Sequence, residues 1–156
     1  MTKATSRLLV IDASVARSAG ETEHPASSAC RQCLLDVLRI CHRVVVTEPI
    51  LDEWNKHMSR FSRKWRRSMA AKKKPLRSIT PAAIAIDTSG LSRQEVAAVE
   101  KDRCLLEAAL AEDHVIVTRD DALMNILAKT VNKNKYLKKI TWINPVTDGT
   151  TALETL

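Results

Sequence analysis

Carboxylates are the first side chains in this sequence whose placement suggests chemistry. Asp12, Glu53, Asp102 and Asp120 come from four separate segments, and a strand-and-helix reading of the chain brings all four to one edge. Crowded carboxylates without countercharge repel and raise one another's pKa. A hard divalent cation relieves this, and Mg²⁺ or Mn²⁺ accepts oxygen ligands together with several waters. A metal held this way lowers the pKa of a bound water, and the resulting hydroxide attacks a phosphodiester in line. No histidine is needed, and the sequence places none of His24, His42, His57 and His114 to act. Each acid also has a plainer use. Asp12 suits a turn cap, Glu53 a pair with Lys56 or His57, and Asp102 a pair with Lys101 or Arg103. Asp120 or Asp121 suits a helix cap. Convergence of all four on one edge is what favours the metal.

The elements that must position them follow from hydropathy. Arg7–Asp12 (RLLVID), Arg43–Thr47 (RVVVT), Val115–Thr118 (VIVT) and Ile140–Ile143 (ITWI) read as short buried strands. Between the first two, Ser27–His42 reads as a helix with Cys30, Cys33, Leu34, Val37, Leu38 and Cys41 on one stripe. Thr47 is suited to cap the next helix, with Pro49 in its first turn. That helix carries Ile50, Leu51, Trp54, Met58, Phe61 and Trp65 at helical spacing and is expected to run on until Pro75. Arg77–Gly90 is poorly patterned. Ser92 and Glu95 form a capping box opening a helical region to about Glu112, and Asp121–Thr130 is a short helix. Strands alternating with helices predict an α/β fold, a three-layer α/β/α sandwich around a central, mostly parallel sheet.

In such a sheet, ligands bind beyond the carboxyl ends of the strands. Asp12 ends the first strand, Asp120 lies just past the third, and Glu53 is early in the helix leaving the second. From Asp102 to Glu112 a helix rises roughly 15 Å, and from Val115 to Asp120 a strand rises roughly 17–20 Å, so the two acids return to one edge.

The chain has 156 residues, 45% of them hydrophobic and 28% charged, which fits one globular domain and argues against disorder. Residues 1–146 are taken as that domain, with 147–156 as a weakly ordered tail. Leu8–Ile11 is too short for a signal core or a membrane span, so a soluble, cytoplasmic protein is expected, with no membrane partner. The formal net charge is +7, but ten basic residues lie in segment 56–77, and no acid occurs between Glu53 and Asp87. Setting those ten aside turns +7 into −3 for the rest. A basic segment of this kind suits nucleic acid. Its candidate contacts are Arg60, Arg63, Lys64, Arg66, Arg67, Lys72, Lys73 and Lys74, helped by Lys129, Lys133, Lys135, Lys138 and Lys139. Cys30 and Cys33, with Cys41 and His42 near, have a spacing zinc could use, but their apolar stripe favours core packing.

Four blocks, in order, resemble the PIN-domain family: V-I-D-A-S-V from Val10, T-E-P-I-L-D-E-W from Thr47, K-D-R-C-L-L-E-A-A-L from Lys101 running into V-I-V-T-R-D, and I-T-W-I-N-P from Ile140. The match spans about Arg7 to Pro145. The resemblance implies an α/β/α sandwich and a ribonuclease dependent on Mg²⁺ or Mn²⁺. It puts metal-binding, catalytic carboxylates at Asp12, Glu53, Asp102 and Asp120, a supporting hydroxyl at Thr118 and a hydrogen bonder to the ligands at Ser14. Family members often carry a further acid two positions past Asp120. Here that position is Ala122, and Asp121 is the candidate replacement. In size and layout the chain is similar to the ribonuclease toxins of bacterial toxin–antitoxin pairs, which implies an antitoxin partner and a homodimer. The long basic segment exceeds what a minimal toxin needs.

RNA is thus the expected partner. Two alternatives stay open: a DNA nuclease of the same chemistry, and a non-catalytic nucleic-acid-binding module using the basic segment. A phospho-receiver domain would want paired acids after the first strand, where Ala13 and Ser14 stand instead.

Overall fold

Branched apolar residues build the sheet. The computed structural model describes residues 6–72, 76–149 and 151–156. Its strands are β1 (Leu8–Ile11), β2 (Arg43–Val46), β3 (Leu76–Ser78), β4 (Val115–Val117) and β5 (Thr141–Ile143). They form one sheet in the order β3-β2-β1-β4-β5, every pair parallel. β1 and β4 are covered on both faces, and Leu9, Val10, Ile11, Ile116 and Val117 are inaccessible to solvent. Unbroken apolar runs without alternation are what a doubly covered parallel strand requires.

The helices are α1 (Ala13–Ser18), α2 (Pro25–Ile40), α3 (Glu48–His57), α4 (Arg60–Ala71), α5 (Arg93–Lys101), α6 (Arg103–Ala111), α7 (Asp121–Ala128) and α8 (Pro145–Asp148). α1 packs on α2 and α3, and α2 on α4 and α8. In a second group α5 packs on α6 and α7, and α6 lies against β1, β2 and β4. The architecture is the expected three-layer α/β/α sandwich, with an entirely parallel sheet. No helix among the described residues is long and apolar enough to cross a membrane.

The structure departs from the sequence reading by adding α1 after the first strand, and at four further places. The helix expected from Thr47 to Pro75 is two helices. Thr47 does cap α3, accepting from the Ile50 N–H at 3.4 Å. At Met58 the backbone turns extended, and Ser59 caps α4 by accepting from Ser62 N–H at 3.0 Å. The joint is tied to α1: Ser59 N–H donates to Ala16 O at 3.2 Å, its hydroxyl to Ala19 O, and the Ser62 hydroxyl to Ala16 O. The apolar stripe continues across the break, which is why periodicity does not reveal it. Trp54 and Trp65 meet edge to face with ring centroids 5.9 Å apart. Each indole N–H donates to a backbone carbonyl, of Ile11 at 2.9 Å and Leu34 at 2.8 Å. Both are core residues, as their helical spacing predicts. The expected stop at Pro75 lies outside the described residues.

The region expected to be one helix from Ser92 to Glu112 is divided at Asp102, whose φ of −107° and ψ of 13° leave the helix for one residue. The capping box at Ser92 and Glu95 forms as the motif predicts. At the start of the unpatterned stretch 77–90, and reaching back to Leu76, the structure adds a fifth strand, β3. It has one half-buried apolar residue and lies at the sheet edge, so it carries no hydropathy signal. Beyond it, side chains meet the chain's polar groups. Arg103 donates to Ile84 O, the Tyr136 hydroxyl to Ala85 O, and Asn134 exchanges two 2.9 Å hydrogen bonds with the Asp87 backbone.

The tail expected to be weakly ordered is docked. α8 crosses its presumed boundary, and Leu153 is 3% exposed. His42 Nε2 lies 2.8 Å from Leu153 O while its Nδ1 accepts from Arg7 N–H at 3.0 Å, and Arg39 bridges Asp36 and Glu154. The tail is short and polar, so one leucine reaching a prepared site decides its order. Replacing Leu153 with alanine is expected to lower the unfolding free energy by about 2–4 kcal/mol in urea. An unchanged midpoint would mean that the segment is undocked in solution.

Candidate active site

Strand register sets the site. Ile11, Val117 and Ile143 stand abreast at the carboxyl ends of β1, β4 and β5. The next residues, Asp12, Thr118 and Asn144, therefore form a row beyond the sheet. Asp12 N–H donates to Val117 O and Thr118 N–H to Ile143 O, both at 2.9 Å, so the ladder extends into the site. Between β1 and β4 the strand order reverses direction, which opens a crevice at this edge.

A pocket of about 380 Å³ occupies the crevice. Its wall includes Asp12, Ser14, Glu53, Asp102 and Asp120, so all four acids singled out by the sequence line one cavity. Asp12 Oδ2 accepts from the Ser14 hydroxyl at 2.7 Å and the Thr118 hydroxyl at 2.9 Å. The two hydroxyls thereby orient the carboxylate, and Asp12 Oδ1 has no partner among the described residues. Asp120 Oδ1 caps α7 by accepting from Leu123 N–H at 3.2 Å. Glu53 sits 3.4 Å from His57 Nε2 and 3.8 Å from Lys56 Nζ. Asp102, at the helix break, makes no side-chain capping bond. Arg103, the next residue along the chain, pairs with Glu100 instead.

The electrostatic result is clearest at Asp102. Burial pushes its carboxyl up, and Asp12, Asp120 and Glu53 push it further against the opposing pull of Lys101, to about 6. Cys104 lies in the same wall, and burial with the neighbouring acids raises its thiol to about 11, so it stays protonated and is no nucleophile. The donor set is carboxylate and hydroxyl oxygen with surplus negative charge, which fits a hard cation. Among the described residues no three His, Cys, Asp or Glu side chains converge tightly enough to hold one ion by themselves. An ion held there would be bound partly through waters, which Mg²⁺ and Mn²⁺ retain readily. Cys30 and Cys33 are buried as their apolar stripe predicts, but Cys41, expected on the same stripe, is exposed, because α2 ends before it and it turns left-handed at φ 66° as the C-cap; His42 is engaged with the backbone.

Several pocket residues were not foreseen. His57, expected to pair with Glu53 but not to act, makes that pair and also lines the wall beside it, which its four-residue spacing on α3 allows. Arg17, Lys101 and Arg119 also line it. Arg119 is adjacent to Asp120 in sequence, and its guanidinium donates to the Ser18 hydroxyl. Asp121 faces away from the four acids. Its Oδ1 accepts from Asn144 Nδ2 at 3.1 Å, and it lines a neighbouring cleft that shares Asp120 with the pocket.

The basic segment is divided. On α4, Ser62, Trp65 and Met69 are buried, while Arg60, Arg63, Lys64 and Arg67 occupy the opposite, exposed face. Arg66 donates to Asn55 Oδ1 at 2.7 Å, and Lys64 lies 3.9 Å from Glu21. Lys72 turns back to Leu38 O at 3.4 Å, off the exposed face. Lys73 and Lys74 lie outside the described residues. Of the auxiliary lysines, Lys129 pairs with Glu95 at 2.6 Å and Lys133 donates to Ser89 O.

Compared with known proteins, the chain matches no family model, no curated protein and no solved structure.

The raised carboxyl has a stability consequence of definite sign. In the unfolded chain Asp102 titrates near its ordinary value of 3.8, and in the folded chain near 6. Between these values the folded state binds the extra proton, so stability falls as pH rises and the penalty is complete above 6. Asp102→Asn removes the penalty. The variant is expected to be more stable than the parent by about 1–2 kcal/mol at pH 7.5 and nearly equal to it below pH 4. Thermal unfolding across that range checks it, and an advantage largest at low pH would contradict it.

Proposed function

We propose that this protein is a divalent-metal-dependent endoribonuclease hydrolysing RNA phosphodiester bonds. The observation that carries the reading is the pocket at the switch point of the sheet. It gathers four carboxylates from four segments, and burial together with the neighbouring acids holds Asp102 near 6 despite the opposing pull of Lys101. The order of the four sequence blocks, similar to PIN domains, supports the same assignment.

In this reading Asp12, Glu53, Asp102 and Asp120 would hold Mg²⁺ or Mn²⁺, which supplies a water of lowered pKa next to the scissile phosphorus. The chain's own groups do the rest. Ser14 and Thr118 fix Asp12 through its Oδ2 and leave Oδ1 directed to the ligand. Arg17, Lys101 and Arg119 supply positive charge at the rim of an otherwise acidic pocket, which lets a phosphate approach. The exposed arginines of α4 hold the flanking backbone, contacts that position a strand without reading its sequence. Asp121 is not assigned to the cation, because it is paired with Asn144 and faces the neighbouring cleft. An antitoxin partner and a homodimer belong to the same proposal and rest on the resemblance alone.

Purified protein incubated with single-stranded RNA and DNA in Mg²⁺, Mn²⁺ or EDTA tests the reading. RNA-selective cleavage that needs the metal and disappears in Asp12→Ala is expected. Cleavage surviving in Asp12→Ala would remove the site assignment. Independently of turnover, Mg²⁺ is expected to raise the melting temperature of the parent and not of Asp12→Ala, since a ligand that binds only the native state stabilises it. Reversing the charge of Arg63, Lys64, Arg66 and Arg67 together is expected to weaken RNA binding at least tenfold and flatten its salt dependence. The metal-induced thermal shift is expected to stay unchanged. Equal RNA affinity would give the basic face another role.

A further inference from the structure

The cleft on the far side of Asp120 has a different character from the acidic pocket. It measures about 360 Å³ and opens at the carboxyl ends of β4 and β5. Of the three tryptophans, Trp54 and Trp65 are buried with their indole N–H groups bonded. Trp142 is half-buried on the edge strand β5, lines this cleft, and its indole N–H has no partner among the described residues. Met124 and Asn125 of α7 also line the cleft. Asn125 is exposed, and its carboxamide makes no hydrogen bond among the described residues.

The floor is fixed. Asn144 donates its backbone N–H to Asp148 Oδ2 at 2.7 Å and its Nδ2 to Asp121 Oδ1 at 3.1 Å, and its own Oδ1 accepts from Val146 N–H at 3.0 Å. This clamp holds Asp121 in place and leaves its second oxygen free to accept. The cleft thus offers an aromatic side, a thioether, a free carboxamide and a pre-set carboxylate acceptor. Single-stranded RNA is read by stacking unpaired bases on aromatic side chains and bonding their Watson–Crick edges. Guanine is the base that presents two adjacent N–H donors, N1–H and the exocyclic amine, to a carboxylate.

We propose that this cleft is a nucleobase subsite, in which Trp142 stacks on an unpaired base beside the scissile phosphate and Asp121 selects guanine. The ligand class rests on the ribonuclease reading, but binding at the subsite does not depend on cleavage.

The test is titration of the full chain with GMP, AMP, CMP and UMP in EDTA, followed by tryptophan fluorescence and by calorimetry. Because Trp54 and Trp65 are buried, quenching reports on Trp142. GMP is expected to quench and to bind at least threefold more tightly than CMP or UMP. Trp142→Leu is expected to abolish the quench and weaken GMP binding about tenfold, the scale of one lost stack. Trp142→Phe keeps most of the affinity by calorimetry. Asp121→Asn removes the preference for GMP while keeping base binding, and Asn125→Ala, at an exposed helix position that leaves the fold intact, weakens GMP severalfold. Absence of quenching in the parent, or GMP affinity unchanged in Trp142→Leu and Asn125→Ala, overturns the subsite. Equal affinity for all four nucleotides overturns the selection by Asp121. RNA cleavage by a protein that ignores GMP removes this inference and leaves the ribonuclease reading, whereas GMP binding by a protein that cuts nothing does the reverse.

Discussion

Parallel pairing of β1 with β4 is the constraint from which the rest of the site follows. In a parallel ladder all strands end on the same side, so residues that follow them share one edge whatever their distance in sequence. Leu9, Val10 and Ile11 pair with Val115, Ile116 and Val117. That register sets Asp12 against Thr118, and the hydrogen bond between them is a product of strand alignment. A one-residue slip would turn every β1 side chain to the opposite face and separate the pair. The apolar burial that fixes the register therefore also fixes the polar contact.

Charge in this molecule is sorted rather than balanced. Acids from four segments accumulate at the sheet edge, and exposed arginines accumulate on the outer face of α4. Lys56 and His57 pair with Glu53 at the edge itself and Arg17, Lys101 and Arg119 line its wall, whereas Arg103 is turned to Glu100, Arg66 to Asn55 and Lys72 to Leu38 O. The helix break at Asp102 contributes to this sorting. A continuous helix from Arg93 to Ala111 would carry that carboxylate along its surface, whereas the one-residue departure sets it between two helices and half-buries it.

What the sequence made legible follows from which signals survive without tertiary context. β1, β2 and β4 are runs of branched apolar residues, and doubly covered strands leave that mark plainly. The acids were legible because they follow those strands. β3 was not, since a three-residue edge strand with one half-buried leucine has no pattern to read. Neither helix break was visible. At Ser59 the apolar stripe runs through the break, and at Asp102 there is no glycine or proline to mark it. Arg17 and Arg119 were missed because a search for convergent acids is blind to the bases between them, whereas the pairing of His57 with Glu53 was legible from their spacing. Asn144 was missed because its importance lies in three hydrogen bonds to residues near and far, none of which a residue type announces.

The joint between α3 and α4 divides labour along the chain. Its polar ties run to carbonyls of α1, and the buried side of α4 is settled by Ser62, Trp65 and Met69. The opposite face contributes nothing to those ties or to that packing. Mutational drift at Arg60, Arg63, Lys64 and Arg67 is thus decoupled from selection on the acidic edge. Lineages can diverge in what their surface attracts while the acidic edge stays under purifying selection, and variability among descendants should concentrate on that one helical face.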